Sequence, residues 1–167
     1  ELESPRDRLL NEGADVHVIS PETDEIKGWD KDNWGRSVSV DRSLADASVD
    51  DYDALVLPGG QINPDLLRAN EDAVKFVRDF FNTKKRLAAI CHAPWLLIEA
   101  EVIKDRDVTS YKSIATDIKN AGGRWSDEPV VVHEALITSR SPEDLNAFND
   151  KIVEEICEGR HGGRVAA

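Results

Sequence analysis

Arg86-Leu87-Ala88-Ala89-Ile90-Cys91-His92-Ala93-Pro94-Trp95-Leu96-Leu97-Ile98-Glu99-Ala100 (RLAAICHAPWLLIEA, residues 86–100) decides how the rest of the chain is read. Its first five residues are apolar after Arg86, without the alternation of a half-exposed strand, which predicts a strand buried on both faces. Residues 92–100 are apolar nearly all round, which predicts a buried helix. Cys91 stands at the junction. It is either a small apolar side chain filling a gap at a strand end or a nucleophile held on a sharp turn, and the dipeptide Cys-His alone supports both.

The flanking segments repeat the alternation. Residues 52–60 (YDALVLPGG) read as a second buried strand that breaks at Pro58-Gly59-Gly60. Residues 71–81 place Ala73, Val74, Phe76, Val77, Phe80 and Phe81 on one helical stripe. Ser4 as N-cap, Pro5 in the first turn and Gly13 as terminator bound an opening helix. Residues 14–20 read as a strand, 36–41 as a short exposed strand or hairpin, 113–123 as a helix with a glycine stop, and 129–139 as a strand or hairpin. A last amphipathic helix begins at Ser141-Pro142. Leu145, Phe148, Ile152, Val153, Ile156 and Cys157 share one of its faces in this reading, so Cys157 is expected in the core and Cys91 is expected to be the far more reactive thiol. Strands alternating with helices predict an α/β fold with a mostly parallel sheet covered on both sides. Residues 1–158 form one domain in this reading, and 159–167 (GRHGGRVAA) form a flexible tail without apolar periodicity.

The net charge of −12 argues against nucleic-acid and anionic-membrane surfaces, which draw their affinity from clustered Lys and Arg. Two cysteines make no disulfide framework, and no apolar run reaches the ~20 residues of a membrane span. A reducing, cytoplasmic setting is expected. In an open parallel sheet, chemistry collects beyond the carboxyl ends of the strands. Two such ends meet here, one delivering Pro58-Gly59-Gly60 and the other Cys91. A helix N-terminus favours thiolate over thiol, and the His92 amide together with one from the glycine loop could hold an oxyanion.

The segments LVLPGG, AAICHAPWLLIEA, TSY (109–111), DIKNAGG (117–123), VVV (130–132) and ITSRSPEDLNAFN (137–149) together resemble the PfpI family of the ThiJ/PfpI superfamily, with the similarity running from Glu1 to about Glu158. The resemblance implies a flavodoxin-like three-layer sandwich, akin to class I glutamine amidotransferases, and a homodimer or a hexamer of dimers. It implies cofactor-independent cysteine chemistry without a metal: deglycase or glyoxalase action on a small carbonyl or glycated protein, with intracellular cysteine peptidase as the alternative. A redox-sensing or chaperone-like stress protein is the third class. Carried over by position, Cys91 is the nucleophile, His92 the adjacent base, and the amides of Gly60 and His92 the oxyanion donors. Glu1 is the family's helix-borne glutamate, and Asp65 is the acid presented to the neighbouring subunit's histidine. A protonated Glu1 would lower the thiol's pKa and donate to an oxidised sulfur, whereas an ionised one would raise it. Ala93 departs from the family's usual glycine. The family's first strand should precede residue 1, so a native N-terminal segment forming a central strand is expected ahead of Glu1.

Overall fold

A computed structural model describes residues 1–22, 24–30 and 33–162. The chain runs through α1 (Glu3–Asn11), β1 (Ile19–Ser20), β2 (Glu25–Asp30), β3 (Asn33–Ser39), β4 (Arg42–Ser43), β5 (Ala54–Leu57), α2 (Ile62–Arg68) and α3 (Glu71–Asn82). It continues through β6 (Arg86–Ile90), α4 (Pro94–Glu99), β7 (Asp107–Val108), α5 (Ala115–Asn120), β8 (Arg124–Trp125), β9 (Val130–His133), β10 (Leu136–Ser139) and α6 (Leu145–Gly162). The central sheet has the order β5-β6-β10-β9, parallel from β5 to β10, with β9 returning antiparallel as a hairpin. Small two-stranded pairs, β1-β4, β2-β3 and β7-β8, lie outside it.

The apolar run of β6 is explained by where its two faces go. Leu87 and Ala89 join a core with Val77 and Phe80 of α3 and Leu96 and Leu97 of α4. Ala88 and Ile90, pointing the other way, join Ile137 of β10 and Phe148 and Ile152 of α6. Successive strand residues face opposite sides, so helices on both faces demand apolar residues at every position. Each large side chain buried this way contributes about 1.5–3 kcal/mol relative to exposure. Helix α3 starts at Asn70, whose side chain accepts from the Ala73 amide at 3.1 Å, and it buries Ala73, Val74, Val77 and Phe80. Phe76 and Phe81 remain partly exposed at the stripe's margins.

Four expectations change. Residues 14–20 contribute only Ile19–Ser20 to a strand. Ser4 does not cap α1, which begins at Glu3 without a side-chain cap. Its hydroxyl instead accepts from Asn149 Nδ2 of α6 at 2.8 Å. Cys157 is exposed rather than in the core. Taking about 100° per helical residue, Leu145, Phe148, Ile152 and Ile156 cluster within one stripe, while Cys157 falls about 100° beyond Ile156 and off it. Finally, α6 extends through Gly162, so residues 159–162 are helical. Residues 163–167 of the expected tail lie outside the described residues. Among the described residues no helix is long and apolar enough to cross a membrane.

Candidate active site

Cys91 follows the last residue of β6 and takes a left-handed backbone, φ +63°. For a non-glycine residue that conformation costs about 1–3 kcal/mol, and the neighbouring backbone enforces it. The Cys91 amide donates to Ser139 O at 3.0 Å, its carbonyl accepts from the Tyr111 amide at 2.9 Å, and Ala93 N closes the turn onto Ile90 O at 3.0 Å. The strand therefore stops abruptly. The thiol swings out of the sheet plane, and α4 begins at Pro94.

Two glycines bring the β5 loop against it. A Cβ on Gly59 would stand 2.6 Å from Ile90 O and 2.7 Å from the Cys91 Cβ, and it would also strike Glu1 Oε2, so only glycine fits. Gly60 has φ +73°, which glycine adopts freely. Its amide, directed at the sulfur as the His92 amide is, also donates to Glu1 Oε2 at 2.6 Å. Glu1 arrives through packing at a distance. Pro5 is buried, Ser4 is bonded to Asn149, and Arg8 Nη1 pairs with Asp150 at 2.9 Å, so α6 fixes α1 and with it the residue at its start.

The electrostatics run opposite to the expected thiolate stabilisation. Burial pushes the Cys91 thiol up to about 12, and the neighbouring Glu1 adds to the rise by its charge and by accepting the thiol's hydrogen bond. The His92 and Gly60 amides pull the other way and do not prevail. Helix α4 spans only six residues, so little dipole accumulates at its start. Cys91 is 6% exposed, and its surroundings favour the neutral thiol over the thiolate.

His92 lies beside it, with Nδ1 3.2 Å from Sγ. Its ring stacks on Tyr111, centroids 4.8 Å apart and planes 25° apart, and meets the edge of Trp95 at 5.1 Å. The other ring nitrogen, Nε2, lies 3.2 Å from Ser113 Oγ. Burial lowers the His92 pKa below its ordinary value, so the ring is neutral at neutral pH. Trp95 is itself anchored, Nε1 donating to Asp117 at 2.9 Å while the Arg68 guanidinium lies 5.3 Å over its ring.

Cys91, His92, Gly60 and Glu1 thus converge on one sulfur. Asp65 stands apart on α2, exposed, and among the described residues it makes no hydrogen bond or ion pair with His92. Ser113, Tyr111, Trp95 and Asp117 were not singled out as site residues. Trp95 and Tyr111 lie in segments that carried the resemblance, whereas Ser113 is 21 positions from His92 and left no local signal. Among the described residues no group of three or more His, Cys, Asp or Glu is arranged to hold a metal ion.

The profile of the DJ-1/PfpI family matches residues 1–155. Protein/nucleic acid deglycase 2 of Escherichia coli is 43% identical over 151 residues, covering 89% of this chain and 86% of that protein. A Bacillus subtilis protein named "Putative cysteine protease YraA" is 44% identical over 115 residues, 69% of this chain and 68% of that one. Drosophila melanogaster DJ-1beta superposes with a TM-score of 0.81 at 28% identity, covering 99% of this chain and 90% of that structure. With the family profile spanning nearly every described element, from the helix that presents Glu1 to the one that anchors it, the chain belongs to the DJ-1/PfpI family.

Proposed function

We propose that this chain is a cofactor-independent cysteine hydrolase or lyase acting on reactive carbonyls and on their adducts with amines or thiols, a reading supported by relatives named deglycases. The observation that carries this reading is the buried sulfur of Cys91, 3.2 Å from His92 Nδ1 and faced by two backbone amides and a carboxyl group. Addition to an aldehyde proceeds as the Sγ–C bond forms and the C=O π pair moves to oxygen, while the thiol proton passes to Nδ1. The developing oxyanion takes the Gly60 and His92 amides, displacing the Glu1 oxygen from Gly60. With a hemiaminal adduct, Sγ displaces the amine. The C–N bond breaks, the amine leaves with the proton from His92, and a hemithioacetal remains on Cys91.

A protonated thiol deep in a closed site suits a small electrophile that can enter and react as the proton moves. An extended peptide needs an open cleft, and Cys91 and His92 are 6% and 9% exposed. A redox-sensing role needs a standing thiolate, which burial and Glu1 disfavour. A second copy of this chain is part of the reading. Ile62 and Leu66 are 57% and 67% exposed on α2 on either side of Asp65, an apolar face that a partner would cover while bringing Asp65 toward its histidine.

The test sets methylglyoxal, a methylglyoxal adduct of an amine or thiol, and a fluorogenic peptide before the wild type and Cys91→Ser. Turnover of the first two that vanishes in the variant is expected. Dominant peptide cleavage, or a variant as active as the wild type, overturns the reading. Sedimentation of the wild type, with kinetics of Asp65→Ala, tests the second copy: a fully active monomer, or unchanged activity on losing Asp65, rejects it.

A further inference from the structure

Helix α1 meets α6 along two sides. On one, Leu9 packs onto the core that holds Phe148 and Ile152. On the other, the facing residues are polar on both helices: Ser4, Arg8 and Asn11 fall at i, i+4 and i+7 of α1, and Asn146, Asn149 and Asp150 at i, i+3 and i+4 of α6. The two stripes line a groove of about 420 Å³. We propose that this groove is a binding site for a small neutral polyol, whose neighbouring hydroxyls complete Asn149 and bridge the two helices.

Asn149 carries the argument. It lies at the bottom of the groove, 7% exposed, while Asn11, Asn146 and Asp150 are exposed at the rim. Its Nδ2 donates to Ser4 Oγ at 2.8 Å, and its Oδ1 is enclosed without a hydrogen-bond partner. Turning the amide over does not remove the deficit: Ser4 then donates to the oxygen, and the NH2 group is the one left unanswered. A buried amide satisfied at one end only is a cost to folding, and an apolar residue would fill the same place beside Phe148 without it. A hydroxyl answers the amide in either orientation, because it both donates and accepts.

The rest of the groove selects the class of ligand. Arg8 is held between two carboxylates, Nε 3.1 Å from Glu12 and Nη1 2.9 Å from Asp150, so its charge is matched and does not draw a phosphate or a free carboxylate. A cation would have to take those carboxylates from Arg8. The volume falls within the roughly 300–1,000 Å³ of small-molecule sites, yet such sites are mainly apolar. Here, among the described residues, the lining holds three asparagine amides, a carboxylate, a guanidinium and a hydroxyl, with no aromatic or aliphatic residue. Planar amides and carboxylates present adjacent polar atoms, which adjacent hydroxyls on a carbon chain answer in pairs. Occupancy has a structural consequence. The bonds from Ser4 to Asn149 and from Arg8 to Asp150 fix α1 on α6, and α1 carries Glu1 to Cys91. A ligand spanning both stripes tightens that mount, whatever reaction Cys91 performs.

Sorbitol is the probe, a polyol that has no carbonyl and is therefore no substrate for the chemistry proposed at Cys91. It is titrated into the full chain while side-chain amides are followed by ¹H–¹⁵N correlation and α1 by amide hydrogen exchange. The Asn11, Asn146 and Asn149 side-chain amides should shift saturably, and exchange in α1 should slow at saturation. Asn149→Leu should abolish the saturable response. The double variant Asn11→Ala/Asn146→Ala changes exposed positions only, so it keeps the fold, and it should weaken binding at least about tenfold, the scale of one or two lost hydrogen bonds. Shifts that grow with sorbitol without saturating are the mark of a polyol acting only by exclusion from the surface, and they overturn the inference. So do saturable binding that the double variant leaves unchanged, α1 exchange that saturation does not slow, and inorganic phosphate binding in place of sorbitol. Turnover by Cys91→Ser judges the functional reading separately, since sorbitol binding does not depend on it.

Discussion

Cys91 and Cys157 differ in every property that governs sulfur chemistry. Cys157 is exposed on the last helix. Cys91 is 6% exposed, left-handed in backbone, and faced by Glu1, His92 and the amides of Gly60 and His92. Cys157 is the thiol that a reagent in solution meets. Under the proposed function Cys91 is the thiol that the reaction uses; an imidazole, two backbone amides and a carboxyl group are aimed at it. Accessibility and catalytic fitness are therefore separate quantities here, and each can be moved by mutation without the other.

The largest expected effect breaks the pair on activity. Cys91→Ser should lower turnover of methylglyoxal by at least about a thousandfold, as loss of a nucleophile does elsewhere, whereas Cys157→Ser should stay within about twofold. Comparable losses in steady-state assays of both variants would end the distinction. Next comes the glycine that lets the β5 loop approach. In Gly59→Ala the new Cβ would stand 2.6 Å from Ile90 O and 2.7 Å from the Cys91 Cβ, so backbone must move. Denaturant unfolding should report a loss of about 1–3 kcal/mol, the usual cost of overpacking. Activity should fall about a hundredfold as the sulfur and its amides lose register. A variant as stable and active as the wild type would show that the close approach is not maintained in solution.

A third measurement sharpens the comparison by making accessibility visible. Iodoacetamide at neutral pH should modify Cys157 first, and Cys91 at least about tenfold more slowly, because the thiolate is the reacting form. The Cys91 rate should keep rising with pH toward about 12. Glu1→Ala removes a neighbouring charge and a hydrogen-bond acceptor, so it should speed Cys91 labelling while leaving Cys157 unchanged. Faster labelling of Cys91 in the wild type, or a plateau below pH 9, would mean that its thiol is not held protonated.

The same contrast marks how far the sequence could be read. The Cys91 side was legible because its signals are local: an apolar run long enough for a doubly covered strand, glycines where two strands end, and histidine adjacent to cysteine. Cys157 shows where helical phase misleads: one residue past the stripe at a helix end, an apolar side chain points away from the core. The rise of the Cys91 pKa cannot be read at residues 91–95 alone, because burial and a carboxyl brought in by α1 outweigh a six-residue helix. Ser113 was invisible because it meets His92 only after α4, β7 and the TSY turn have folded back over the site.

The last expected effect is on stability, and it ties the buried pair to pH. Below the ordinary thiol value of 9.0 the sulfur is protonated in both folded and unfolded chains. Between 9.0 and about 12 the unfolded chain releases that proton while the folded one keeps it. The unfolded state then binds fewer protons, so stability contributed by the neutral thiol declines as pH rises through this window. His92 acts at the other end. Its folded value lies below the ordinary 6.5, so on acidification the unfolded chain takes up a proton that the folded site refuses. Stability that is present above pH 6.5 is therefore lost as pH falls through the folded value. Melting temperatures measured across pH should form a plateau with both limbs sloping down. Cys91→Ser should flatten the alkaline limb, His92→Gln the acid limb, and Cys157→Ser neither. An alkaline limb that Cys91→Ser leaves as steep as in the wild type would show that the buried thiol is not kept neutral by folding.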